Sequence, residues 1–232
     1  ANSDAAINKV AKVFEQVPDE VLNSNPSYYY LASIILFHQK KYISARRYIS
    51  DYLYFDESNI NALLLASTIE LVEGELLQAK SFASKANLIE QKNPKVLSLL
   101  GVISLELKEY QKSLYYFELA KQLRPELAVV NTQLAKIYLA DGKPQKAIEY
   151  LLEASTADFD STIIGLLLVE SYLKSGELDK AIQIAQNLAE DLPENSDIQH
   201  HLGYIYQIKG DTKSALIPVS YTHLRAHETV LD

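Results

Sequence analysis

The 232-residue chain contains no cysteine, no methionine and no tryptophan. Without cysteine there is no disulfide, no thiolate metal site and no cysteine nucleophile. Methionine is missing even at position 1, where Ala1 stands. The chain is therefore expected to begin inside a longer reading frame or after a processing site, with any signal peptide or lipid anchor upstream. No window approaches the roughly 18 consecutive apolar residues of a membrane span. Lysine and arginine never run beyond pairs such as Lys40-Lys41 and Arg46-Arg47, and the formal net charge is -8. A nucleic-acid partner is not expected, because phosphate binding needs a basic patch.

Catalytic motifs are missing too. There is no GxSxG, HExxH, Walker A or GxGxxG pattern. His38 stands alone, and His200 and His201 are adjacent, so on a helix they point about 100° apart and share a metal poorly. His223 and His227 lie four apart, a metal-like spacing, but they fall in a tail argued below to be foreign. Nothing supports nucleophilic, acid–base or metal catalysis, so no enzyme activity and no cofactor are expected.

What the sequence does have is a repeat. Stepping 34 residues from Ala45 gives Ala45, Ala79, Ser113, Ala147, Ala181 and Ala215, all small, with no slippage. Twelve residues before each lie Ser33, Ser67, Gly101, Ala135, Val169 and Gly203. Small residues in both columns let two antiparallel helices approach closely. Five before each lie Lys40, Gly74, Lys108, Gly142, Gly176 and Gly210. A left-handed residue is needed there to end one helix and turn, so lysine at two of these positions implies a cost. Pro125 and Pro193 close repeats, since proline cannot continue a helix.

Apolar residues recur at helical spacing between these marks, as in Leu97, Leu100, Ile103, Leu107, Leu114, Phe117 and Leu123. The pattern predicts helix pairs at 27–39 and 42–55, 60–73 and 76–90, 95–107 and 110–123, 127–141 and 144–157, and 162–175 and 178–191, with a further hairpin from about 196. Ala5–Gln16 reads as the second helix of a preceding repeat, capped by Ser3 or Asp4. Residues 1–26 are thus expected to be a helical remnant and 27–217 five full repeats plus a truncated sixth. The sixteen tyrosines, clustered at Tyr28, Tyr29, Tyr30, Tyr48, Tyr52 and Tyr54, are expected mostly to pack, with the hydroxyl reaching water.

This 34-residue helix–turn–helix resembles the tetratricopeptide repeat. Leu100-Gly101, Tyr110, Phe117, Ala120 and Pro125 stand at the family's marked positions; its first-helix tryptophan is absent, and its tyrosine column is filled only by Tyr138, Tyr172 and Tyr206. The resemblance implies an all-α, right-handed α-solenoid of antiparallel helix hairpins whose first helices line a concave groove for a protein or peptide partner. The inner-face positions it implies are Tyr30, Ile34, Phe37 and His38 in the first repeat. Leu64, Thr68 and Leu71 follow, then Ser98, Val102 and Leu105. The later repeats supply Thr132, Lys136 and Leu139, then Leu166, Glu170 and Leu173, then His200, Tyr204 and Gln207. This surface is mostly apolar to neutral. It lacks the lysine–asparagine clamp with which chaperone-tail binders of the family hold a terminal carboxylate. An extended or helical apolar segment is the expected partner. The oligomeric state stays open.

After Ile217 the register breaks. Val219–Thr229, VSYTHLRAHET, resembles the in-frame translation of a transposon-based sequencing adapter, so residues 218–232 are expected to be a non-native tail. Four segments, Leu36–Ala45, Ala62–Ala79, Asn131–Ala147 and Leu166–Pro193, resemble the tetratricopeptide-repeat lipoproteins of bacterial exosortase (PEP-CTERM) systems. That resemblance implies a fragment of an envelope or periplasmic protein tied to surface-protein sorting or exopolysaccharide. A cytoplasmic co-chaperone or adaptor, or the non-catalytic repeat region of a larger enzyme, are the alternatives.

Overall fold

A computed structural model describes residue 21, residues 25–155, residues 161–211 and residue 214. Among them it shows eleven helices and no strand. The chain divides into two compact units, Ala1–Arg124 and Pro125–Asp232. The first contains α1 (Ser27–His38), α2 (Tyr42–Phe55), α3 (Ile60–Val72), α4 (Leu76–Ile89), α5 (Pro94–Glu106) and α6 (Tyr110–Leu123). The second contains α7 (Ala128–Ala140), α8 (Pro144–Ser155), α9 (Ser161–Ser175), α10 (Leu178–Asp191) and α11 (Ser196–Lys209). Each of the eleven helices expected within the described residues is present, with ends within two residues of the expected ones; the second helix expected for the last hairpin lies, apart from Ser214, outside them. The expected remnant Ala5–Gln16 and the tail from residue 218 lie outside the described residues.

Each hairpin closes where the two small columns meet. Ala45, Ala79, Ser113, Ala147 and Ala181 are all fully buried. In the second repeat the Ser67 hydroxyl on α3 donates to the Ala79 carbonyl on α4 at 2.8 Å. In the third the roles swap: the Ser113 hydroxyl on α6 donates to the Gly101 carbonyl on α5, again at 2.8 Å. A hydroxyl fits between two close helices only because it finds a carbonyl there; unpaired it would cost about 1–3 kcal/mol. The turns follow the expected column. Gly74, Gly142, Gly176 and Gly210 have φ from 70° to 83°, and Lys40 and Lys108 adopt the same left-handed region at 59° and 60°.

Asparagine starts several first helices. The Asn59 side chain accepts from the Ala62 amide. Asn93 accepts from Lys95 and Val96, and Asn195 from Asp197 and Ile198. Asn25 accepts from the Ser27 amide at the start of α1. These residues form another column of period 34, interrupted in the described chain by Leu127 and Ser161.

In the first unit α2 packs on α3 and α4 on α5, while α1 touches α3 and α3 touches α5. In the second unit α8 packs on α9, α10 on α11, and α9 touches both α7 and α11. One cluster of the first unit holds Ala45, Ile49, Ala62, Ala66 and Ile69; another holds Leu63, Ala79, Ala83, Leu100 and Ile103. The second unit's core runs from Ala128 through Leu151, Ile164 and Val169 to Ile205. Burying a side chain of this size is worth about 1.5–3 kcal/mol. Stability is thus spread along the repeats.

The tyrosine column is filled differently in the two units. Tyr138 stacks on Tyr150 at 5.4 Å, with Lys146 over its face at 5.1 Å. Tyr172 carries Lys180 at 5.3 Å, and Tyr206 accepts a hydrogen bond from Gln186. In the first unit the same column holds Glu70, which is buried and pairs with Arg46 of α2 at 2.8 Å.

Candidate functional site: the first-helix faces

A first helix has its second helix on one side and the neighbouring hairpins on two more, which leaves one stripe open. In the first unit that stripe is carried by α1, α3 and α5. Tyr30 is half-buried, its ring 5.2 Å from Tyr52, and burial pushes its hydroxyl above the ordinary tyrosine value. Phe37 is half-buried against Tyr42, 5.6 Å away, and belongs to the packing around Ala45 and Ile49. Ile34 is half-buried and His38 exposed. Leu64, Thr68, Leu71, Ser98, Val102 and Leu105 are all half-buried. The hydroxyls of Thr68 and Ser98 donate within their own helices, to Leu64 and Pro94.

In the second unit the stripe is carried by α7, α9 and α11. Lys136, His200, Tyr204 and Gln207 are exposed, and Leu166, Glu170 and Leu173 are half-buried. Thr132 and Leu139 are buried, at 4% and 5% exposure. Thr132 donates to the Ala128 carbonyl, and Leu139 belongs to the core with Ala147. Their side chains are engaged in packing, because position on a helix fixes direction but not how closely a neighbour approaches. Glu170 pairs with Lys174 of its own helix at 2.8 Å. The rings of His200 and His201 stand edge to face at 6.2 Å, and the His201 Nδ1 lies 2.7 Å from the Asp197 carbonyl. Among the described residues no group of three or more His, Asp or Glu is placed to hold a metal ion. None of the described helices is long and apolar enough to cross a membrane.

Several exposed apolar side chains on these helices escaped the inner-face reading. They are Leu31 and Val72 in the first unit, and Val129, Ile163 and Ile208 in the second. Val129 and Ile163 share one column of period 34, and Val72 and Ile208 another. Their signal was in the sequence, as apolar residues one step outside the columns assigned to the core.

A surface depression in the second unit is lined by Gly176, Glu177, Leu178, Asp179, Lys180 and Lys209. Its charges satisfy each other. Lys209 donates to Asp179 at 2.8 Å and Lys180 to Glu177 at 2.7 Å. Those hydrogen bonds hold both carboxyls below, and both ammonium groups above, their ordinary values. The four groups read as ties between turns and helices.

The tetratricopeptide repeat family matches residues 138–202. Curated proteins give no match. Among solved structures the chain is similar to pilF of Pseudomonas aeruginosa, with 20% identity and a TM-score of 0.73, over 87% of this chain and 97% of that one. It is similar to a tetratricopeptide repeat protein from Parabacteroides merdae, at 16% identity and TM-score 0.70, over 86% and 79% of the two chains. YrrB, described as a tetratricopeptide repeat protein with an unusual peptide-binding site, matches at 18% identity and TM-score 0.63, over 75% and 89%. The hairpins, their 34-residue period and these likenesses together make this chain a repeat protein of the tetratricopeptide fold.

Proposed function

We propose that the chain is a non-catalytic scaffold that binds a peptide or protein segment along its first-helix faces. The observation that carries this reading is the exposure of large apolar side chains on those faces: Val72 at 50%, Ile163 at 44%, Tyr204 at 53% and Ile208 at 48%. Aromatic and apolar anchors are the usual hot spots of binding surfaces. The inner-face positions carry Lys136, exposed, and Glu170, tied to Lys174, and the columns of Ile163 and Val72 add exposed Lys95, Glu106 and Asp197, so the charges there are of mixed sign. Affinity is therefore expected to depend weakly on salt. The peptide-binding site named for YrrB supports the class of activity.

Selection of random dodecapeptides from a display library on the full chain tests this. Enriched apolar peptides whose binding is lost in Ile163→Ser and Tyr204→Ala, with the circular-dichroism melt retained, support the reading. No enrichment, or peptides that map to the second helices, would overturn it.

We also propose a bacterial envelope setting, as part of a longer protein linked to surface-protein sorting or exopolysaccharide, on the strength of segments such as Asn131–Ala147 and Leu166–Pro193. Residues 218–232 belong to this proposal as adapter-derived sequence. Recovery of the full reading frame tests both: an upstream lipobox cysteine favours the envelope, a frame with no export signal favours a cytoplasmic adaptor, and a natural continuation through Val219–Thr229 rejects the adapter.

A further inference from the structure

The second helices of the first unit form a saddle on the outside. Ile43 on α2 is 77% exposed and Leu77 on α4 is 75% exposed, at the same place in successive repeats. Eleven residues further along, Tyr54 is 86% exposed and Leu88 is 77% exposed, again in register. Eleven residues is three helical turns, so on each helix both side chains share one face and stand about 16 Å apart. Between them the same face carries Arg47 and Ser50 on α2, and Ser81 and Ser84 on α4. Large apolar side chains thus make two ridges, and three serines and one arginine make the floor. The two helices are neighbours. Leu53 of α2 packs on the cluster holding Ala79 and Ala83, and Phe82 of α4 packs on the cluster holding Ala45 and Ile49.

The saddle is local. On α6 the ridge columns hold Gln111 and Gln122, and exposed Tyr115 raises the floor. On α10 the four columns hold Asp179, Gln183, Gln186 and Glu190. Isolated exposed leucines are ordinary, but two in-register ridges on adjacent helices mark a surface that something covers. The floor says what. Arg47 is exposed, and among the described residues it forms no ion pair, not even with half-buried Asp51 one turn on. Its neighbour Arg46 turns away to Glu70. Lys85, beside the floor on α4, is already held by Glu57 at 2.8 Å. The other charges lie in the turns beyond the ridges and are of both signs, such as Lys40 and Glu73 at one end. The saddle therefore presents one open positive charge, set between apolar walls.

We propose that this saddle docks a single helix of a partner protein, laid across α2 and α4, whose buried face carries one carboxylate between apolar residues. A helix about 10–12 Å across fits between ridges about 16 Å apart. Its apolar flanks meet Ile43 and Leu77 on one side and Tyr54 and Leu88 on the other, as in other helix-in-groove contacts. Its Asp or Glu meets the Arg47 guanidinium, which can hold a carboxylate with two parallel N–H donors. The small side chains of Ser50, Ser81 and Ser84 let the partner backbone come close. This site lies on second helices and is separate from the first-helix faces.

A phage-displayed library of alanine-based helices with one randomised face, selected on the full chain, tests the proposal. The enriched helices are expected to carry one Asp or Glu, with leucine, isoleucine or phenylalanine three or four residues to either side. Arg47→Glu weakens their binding at least about tenfold, and exchanging the peptide's acid for lysine restores it. Ser81→Trp, which fills the floor, blocks binding, and Tyr54→Ser with Leu88→Ser does the same. All these positions are exposed, so the circular-dichroism melt stays unchanged. Ile163→Ser with Tyr204→Ala leaves the binding intact, which separates this site from the first-helix faces. Enriched helices without an acid, or binding indifferent to Arg47→Glu or Ser81→Trp, overturn the proposal, as does a selection that enriches nothing. A monomer–dimer equilibrium of the full chain that Ser81→Trp abolishes would assign the saddle to a second copy instead. Flotation with phosphatidylglycerol vesicles that Tyr54→Ser with Leu88→Ser abolishes would assign it to a lipid surface.

Discussion

The ring of Phe117 fills the space that a Cβ on residue 101 would need. An ideal Cβ at Gly101 would lie 2.7 Å from its Cε1, 2.8 Å from Cδ1 and 2.9 Å from Cζ. Phe117 is itself fully buried, so its ring cannot swing into solvent. Two effects of Gly101→Ala oppose each other. Alanine favours the helix by about 1 kcal/mol over glycine. Overpacking a dense core costs about 1–3 kcal/mol. Because three ring atoms crowd the new methyl, overpacking wins and Gly101→Ala lowers the urea midpoint. Pairing it with Phe117→Leu should recover part of the loss, which a general loss of helix would not allow.

The left-handed turns make an opposite pair of predictions. Lys108 ends α5 at φ 60°, where Gly142 does the same job after α7 at 70°. A side chain in this region costs about 1–2 kcal/mol, offset in part by glycine's greater freedom in the unfolded chain. Lys108→Gly is therefore expected to stabilise by up to about 1 kcal/mol. Gly142→Ala is expected to destabilise by about as much, although nothing lies within 4 Å of its added methyl. Thermal denaturation of both variants reads the difference in sign.

The fold was legible because its signals are steric and repeat. A small residue every 34 positions and a turn residue five before it locate both helices of each hairpin, and Ala79, Ala147 and Ala181 are indeed fully buried. The candidate face was less legible. Periodicity places Leu105 and Leu139 on equivalent positions, yet Leu139 is buried and Leu105 only half-buried. The difference lies in what packs alongside each helix, and a column pattern does not encode that. Val129 and Ile163 were missed for the converse reason: an apolar residue outside the core columns has no steric role that the repeat would reveal.

A pH dependence follows from Lys80. Its ammonium donates to both carboxylate oxygens of Glu109, at 2.9 and 2.7 Å, tying α4 to the turn before α6. This hydrogen bond, helped by Lys112, holds the Glu109 carboxyl below the ordinary glutamate value of 4.5. A carboxyl depressed by folding contributes stability that is fully present above its unfolded value and is lost as pH falls through its folded value. The stability gap between the native chain and Lys80→Met is therefore expected to be constant above about pH 5.5 and to shrink as pH falls below the ordinary value. Urea midpoints measured from pH 7 to pH 3 check this. A gap that widened in acid would assign the effect to the packing of the lysine stem instead.

The asparagine caps test how stability is distributed along the repeats. Asn93 accepts the Lys95 and Val96 amides at 3.0 and 3.4 Å, and its own amide donates to Glu90 at 3.1 Å. Asn59 accepts the Ala62 amide at 3.1 Å and donates to Tyr52 and Asp56. The first amides of a helix have no partner within it, so each cap side chain satisfies donors that would otherwise turn to water. Replacing such a residue by alanine typically costs about 1 kcal/mol, whereas glycine costs only a few tenths. Asn59→Ala and Asn93→Ala are each expected to destabilise by about 1 kcal/mol, and Asn93→Gly by less. The two caps begin different first helices and share no hydrogen-bond partner, so their effects should add in the double variant. Hydrogen exchange localises the damage. In Asn93→Ala the Lys95 and Val96 amides should exchange faster while Ala62 is unchanged, and the reverse holds for Asn59→Ala. Faster exchange across all of α3 and α5 in either single variant would show that the hairpins open together and that the caps do not act locally.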